Sequence, residues 1–140
     1  MFWDSSAVLP TVVAEARSAE MIQLLRADLA PVIWWATPVE CHSAVARRHR
    51  DGHLAAAPLA KAIARLDAWL VEVDSVTPTE RVRERARRLL DLHPLRPADS
   101  LQLAAALVWA EAGKPGEAFV CLDGRLREAA QREGFVVLPN

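Results

Sequence analysis

The sequence predicts an α/β domain: three α/β/α layers around a central, mostly parallel sheet of about five strands. Three observations predict it. Short apolar runs alternate with longer amphipathic segments along the whole chain. The longer segments carry helix-start and helix-stop residues. Strands separated by helices of ten or more residues are joined by right-handed crossovers, which lay them parallel and put helices over the faces. The resulting order is β-α-α-β-α-α-β-α-α-β-α-β.

Each element has its own signal. Phe2-Trp3 reads as a short strand ending at Asp4. Ser18 to Leu29 is a helix whose apolar face is Met21, Ile22, Leu24, Leu25 and Leu29. Val32-Ile33-Trp34-Trp35 is a buried strand whose two tryptophans point to opposite faces, both under helices or with one or more serving a protein interface instead. Thr37-Pro38-Val39-Glu40 opens the next helix with an N-cap, a first-turn proline and a capping-box glutamate, and Gly52 stops it after Asp51. Pro58 to Leu70 is a helix, and Val71-Glu72-Val73 a short strand by alternation. Thr77-Pro78-Thr79-Glu80 repeats the capping signature before an arginine-rich helix that ends near His93. Pro97 starts a long apolar helix that reaches Ala112 and closes at Gly113. Ala118 to Leu122 is a buried strand. Asp123-Gly124 leads into a helix through Glu133, Gly134 caps it, and Phe135 to Leu138 is the last strand.

With 140 residues and no linker, repeat or low-complexity stretch, residues 1–140 form one domain. Hydrophobic residues at 52% and charged residues at 25% exclude a disordered chain. A net charge of -1 excludes a strongly basic nucleic-acid coat, though not a local patch. Only two cysteines, Cys41 and Cys121, point to a reducing compartment. The start Met1-Phe2-Trp3-Asp4 carries no secretory signature. The charge-free stretches 29–39 and 100–110 are far shorter than the ~20 residues a membrane span needs. A cytoplasmic protein with no membrane association is the expectation.

The chemistry lies in four acids. In open α/β sheets, ligands bind outside the carboxyl ends of the strands, where strand order reverses. Asp4 and Asp123 each end a strand, and Glu40 lies in the first turn after one. Asp99 joins them if the helix opened by Pro97 begins beside that edge. Carboxylates held close together repel, so one keeps a proton or a cation sits among them. Oxygen donors favour Mg²⁺ or Mn²⁺, which can activate a water against a phosphodiester. Each acid also suits a helix N-terminus on its own, where it meets the dipole and free N–H groups. Their joint placement is what points to a site.

These residues carry a family resemblance. Phe2-Trp3-Asp4-Ser5-Ser6-Ala7 resembles the opening strand of PIN-domain nucleases, and Thr37-Pro38-Val39-Glu40 with Ala44 to Arg48 is similar to their second block. Leu95-Arg96-Pro97-Ala98-Asp99-Ser100 through Leu107 resembles the third and most specific block, and Phe119 to Leu126 with Gly134-Phe135 the fourth. The resemblance spans almost the whole chain, in order. It implies a PIN-like fold and a VapC-type toxin of a type II toxin–antitoxin pair, a Mg²⁺- or Mn²⁺-dependent endoribonuclease. By carry-over, Asp4, Glu40, Asp99 and Asp123 would ligate the metal, directly or through water. Ser6 would orient a water or a phosphate. The implied partners are an RNA substrate, a cognate antitoxin protein and a second copy in a homodimer. Two positions depart from the family pattern: Trp3 replaces an aliphatic residue, and Cys121 stands where threonine or serine is usual.

Other features weigh less. Cys41, His42, His49 and His53 raise a zinc reading, but Gly52 interrupts the helix and no compact ligand set follows. His93 reads as a helix-terminal cation without a visible partner. The run Arg81 to Arg88, interspersed with acids, reads as a solvated face, with RNA-backbone contact as the functional alternative. Arg96 and Arg125 sit near proposed ligands and suit either a phosphate or an ion pair. Lys114, followed by Pro115 and lacking a glycine frame, is not a P-loop lysine. Two other functions fit an acidic strand edge. One is a receiver-like phosphoacceptor, which lacks a lysine after a late strand. The other is a catalytically silent binding module whose acids only cap helices.

Overall fold

Period-two alternation sorts the strand residues onto two faces, and that sorting builds the molecule. The computed structural model describes residues 1–111, 113 and 116–140. Its five strands are β1 (Phe2–Trp3), β2 (Val32–Trp34), β3 (Asp74–Val76), β4 (Ala118–Val120) and β5 (Val136–Leu138). On one face Phe2, Val32, Trp34, Phe119, Cys121 and Val137 share a core with helices α5 (Glu80–Leu92), α6 (Pro97–Ala110) and α7 (Gly124–Arg132). On the other, Trp3, Ile33 and Val120 share a core with α1 (Ser5–Val12), α2 (Ser18–Ala27), α3 (Thr37–Arg50) and α4 (Ala56–Leu70). The architecture is the expected α/β fold, with three layers and a sheet that is parallel throughout.

Strand order is β3-β2-β1-β4-β5. Two crossovers carry the chain from β1 to β2 and out to β3. The third, through α5 and α6, returns across the sheet and sets β4 on the other side of β1. The order therefore reverses between β1 and β4, where Phe2 pairs with Phe119 and Trp3 with Val120. A crevice at the carboxyl ends of these two strands is the default ligand position for such a sheet.

Several elements differ from the sequence expectation. The third strand lies at Asp74–Val76, not at Val71–Val73. Helix α4 runs to Leu70, Val71 caps it at 86% exposure, and the Glu72 N–H bonds back to the Trp69 carbonyl. The Val-x-Val alternation belongs to a turn, while the true strand is an exposed edge with little apolar pattern. Trp35 is 57% exposed because β2 ends at Trp34, so only one of the adjacent pair is buried. The cap of α3 is Ala36, with Thr37 inside the helix, and the cap of α5 is Thr79, which accepts the Val82 N–H at 3.3 Å. Glu80 pairs with Arg83 instead of closing a capping box on Thr77. Helix α6 ends at Ala110, and the expected end at Ala112 lies outside the described residues, as does Lys114. No helix among the described residues is long and apolar enough to cross a membrane.

The aromatic stack at the sheet centre anchors the α5–α7 side. Phe119 is fully buried, stacked on Phe2 with ring centroids 5.6 Å apart and tilted against Phe135 at 5.5 Å. Truncating Phe119 to alanine should cost about 3–5 kcal/mol through lost burial and a residual cavity. Urea unfolding should show this as a lower midpoint at unchanged slope.

Candidate functional site

The site is built outward from the end of β1. The Asp4 N–H continues the ladder to the Val120 carbonyl at 2.9 Å, and the chain then turns into α1. Asp4 is the N-cap of that helix: Oδ2 accepts the Ser6 N–H at 2.9 Å and also the Ser6 hydroxyl. The same Ser6 oxygen accepts the Leu122 N–H at 2.9 Å, which ties the end of β1 to the end of β4. The Cys121 thiol stands 3.6 Å from Asp4 Oδ2. The thiol offers Asp4 a weak donor. Asp4 is only 4% exposed.

The other three acids arrive on helix first turns. Glu40 enters on α3, half-buried. It is not a capping residue as the sequence suggested: Oε2 accepts the Gln102 Nε2–H at 3.0 Å. Asp99 enters on α6, whose Arg96 N–H lies 3.4 Å from Oδ2. Asp123, exposed, caps α7 through the Leu126 N–H to Oδ1 at 3.0 Å. On Asp4, Asp99 and Asp123 the described hydrogen bonds fall on one oxygen each.

Their charges act on one another. Burial pushes the Asp4 carboxyl up; the Ser6 and Cys121 hydrogen bonds pull it back, and the Asp99 charge adds to the rise. Glu40 is raised by burial, and further by Asp4 and Asp99, against the Ser5 and Gln102 bonds. Asp99 is raised by burial and by Asp123, while the Arg96 N–H and the cations of Arg96 and Arg125 pull it down. All four expected acids thus meet at the switch-point end of the sheet in one electrostatic unit. They do not close into a coordination shell: among the described residues, no group of three or more His, Cys, Asp or Glu side chains stands close enough to hold a metal ion. In kind the donors suit Mg²⁺ or Mn²⁺, being anionic oxygens, and water would complete such a shell.

Ser6 is also at the site, but its proton goes to Asp4 and its oxygen takes a backbone N–H. It holds Asp4 in place instead of facing the open end. Arg96 and Arg125 are exposed at the rim. The zinc alternative has no geometry: Cys41 is buried against the Ser5 carbonyl, and His49 Nδ1 lies 2.7 Å from the Leu54 carbonyl. Burial, then the charges of Asp4 and Glu40, pushes the Cys41 thiol up to about 12. His93 does have a partner, with Nε2 2.8 Å from Glu133 Oε1. The arginine run is largely spent on neighbours, with Arg81 and Arg85 on Glu111, Arg83 on Glu80, and Arg88 3.9 Å from Glu133.

Sequence reasoning missed Gln102 and Thr37. Gln102 is 1% exposed, and its Oε1 lies 3.4 Å from Thr37 Oγ1. A polar side chain three residues after Asp99, inside an otherwise apolar helix, was the available signal.

A scan against protein-family models finds no match for this chain, and a search of curated proteins finds no similar sequence.

The raised carboxyls give a stability prediction. A carboxyl whose folded pKa lies above its unfolded value costs stability as pH rises through that interval, and nothing below the unfolded value near 4. Asp99→Asn should therefore raise the thermal midpoint of metal-free protein at pH 7. The gain over wild type should shrink to nothing near pH 4, as a melting series across that range would show.

Proposed function

We propose that this chain is a metal-dependent endoribonuclease, the toxin component of a type II toxin–antitoxin pair of the PIN-domain kind. The observation that carries the proposal is the meeting of Asp4, Glu40, Asp99 and Asp123 at the reversal point of the sheet, with their charges coupled and Asp4 buried. The resemblance of the four sequence blocks supports the same reading.

A divalent Mg²⁺ or Mn²⁺ ion would supply positive charge that acidifies a water and offsets charge on the phosphate. The protein's part is to hold and orient. Asp4 would present Oδ1 while Ser6 fixes Oδ2. Glu40 and Asp99 would face it from α3 and α6, and Asp123 from the exposed rim. Arg96 and Arg125 supply cations where an RNA phosphate would approach. The expected products carry 5′-phosphate and 3′-hydroxyl ends. An antitoxin protein that covers the acidic crevice, a homodimeric state and a cytoplasmic setting follow from the same resemblance. The receiver-like alternative wants a lysine at the strand ends, whereas Lys61 lies on α4.

An RNA cleavage assay tests the proposal. Wild-type protein should cut RNA with Mg²⁺ or Mn²⁺ and stop on addition of EDTA. Asp4→Asn and Asp99→Asn should fold and cut nothing detectable. Full activity in EDTA, or in either variant, overturns the assignment.

A further inference from the structure

Gln102 is a fully buried amide inside a helix whose neighbouring inward residues are Leu103, Ala104, Ala105 and Ala106. A buried amide is costly unless hydrogen-bonded, and both ends of this one are engaged. Nε2 lies 3.0 Å from Glu40 Oε2, and Oε1 lies 3.4 Å from Thr37 Oγ1. An ionised carboxylate only accepts, so the amide must offer Glu40 its NH₂ end. Oε1 then faces Thr37, whose hydroxyl donates. Thr37 is itself completely buried and sits one turn before Glu40 on α3. Gln102 follows Asp99 by three residues on α6, so it shares that residue's side of the helix.

We infer that Gln102, oriented by Thr37, is a positioning residue: it anchors one oxygen of Glu40 so that the carboxylate faces Asp99 for a shared divalent ion. The inference rests on the metal-site reading above and adds to it the pair of residues that presets the α3 side of the site. The carboxylate is held by two helices at once, Glu40 from its own backbone and Gln102 from the helix that carries Asp99. Removing the amide would take away the hydrogen bond described on the Glu40 carboxylate and leave it free to swing from the shared position.

Mn²⁺ binding, read from the paramagnetic resonance signal of the free ion, tests this without relying on cleavage. Gln102→Met keeps length and loses the donor; Thr37→Val keeps shape and loses the hydroxyl. Gln102→Met should weaken Mn²⁺ binding about 10–100-fold, as loss of a residue behind a metal ligand does. Thr37→Val should weaken it less, and the double variant no more than Gln102→Met alone, because Thr37 acts through the amide. RNA cleavage by Gln102→Met should recover at saturating Mn²⁺. Wild-type affinity in Gln102→Met, or losses that simply add in the double variant, would overturn the inference. If Gln102→Met fails to fold, unchanged affinity in Thr37→Val overturns it alone. Wild-type protein that binds Mn²⁺ and cuts no RNA refutes the nuclease reading and leaves the positioning role standing; wild-type protein that binds no Mn²⁺ refutes both.

Discussion

Asp4 is a carboxylate with almost no exposed surface at the open end of the central strand. Taking such a group out of water is expensive unless an opposite charge or several donors meet it. Among the described residues no cation pairs with Asp4; its partners are the Ser6 N–H, the Ser6 hydroxyl and the Cys121 thiol. These offset burial only in part, since the group's pKa stays raised. The surrounding structure is arranged around that residual cost. Helix α1 begins by capping on Asp4, Ser6 clips β1 to β4 through Leu122, and β4 then delivers Asp123 to the same end. A buried carboxylate left with a residual desolvation cost is the feature on which the functional reading rests.

The charge pattern outside the site agrees with this. The chain is nearly neutral overall, yet four of its 18 acids stand at the carboxyl end of the sheet while much of its arginine is spent in surface pairs. Exposed pairs of that sort add little to stability. Arg96 and Arg125 differ, because their charges act on Asp99. They soften the repulsion among the acids. Arg127, by contrast, is structural: its guanidinium bonds the carbonyls of Cys121, Leu138 and Pro139 and fastens the chain end beside β4.

Much of the fold was legible in the sequence because the strong signals are local. Apolar runs, glycine stops and prolines at helix starts placed four of the five strands and six of the seven helices to within a few residues; α1, which opens directly on Asp4 at the end of β1, was given no range. The third strand was not legible, because Asp74-Ser75-Val76 is an exposed edge held by backbone pairing to β2, and backbone pairing leaves no mark on side-chain pattern. Trp35 was misread for a related reason: alternation assigns faces only while a strand continues, and β2 stops one residue earlier. Asp4, Glu40 and Asp123 could be found from their places after strands, and Asp99 from its place in the first turn of the helix that Pro97 opens. Their hydrogen-bond partners could not, since Gln102 and Glu40 lie 62 residues apart and meet only through packing of α3 near α6. Thr37 and Glu40 look like a capping box in one dimension; in three, both are drawn to Gln102.

A crystal grown with Mn²⁺ and recorded at a wavelength where manganese scatters anomalously tests the central claim most directly. The account predicts one or more anomalous peaks at the end of β1, with a carboxylate oxygen of Asp4 and one of Asp99 on the same ion at about 2.0–2.2 Å. A peak elsewhere on the surface, or Asp4 and Asp99 left apart with no ion between them at saturating Mn²⁺, would contradict it.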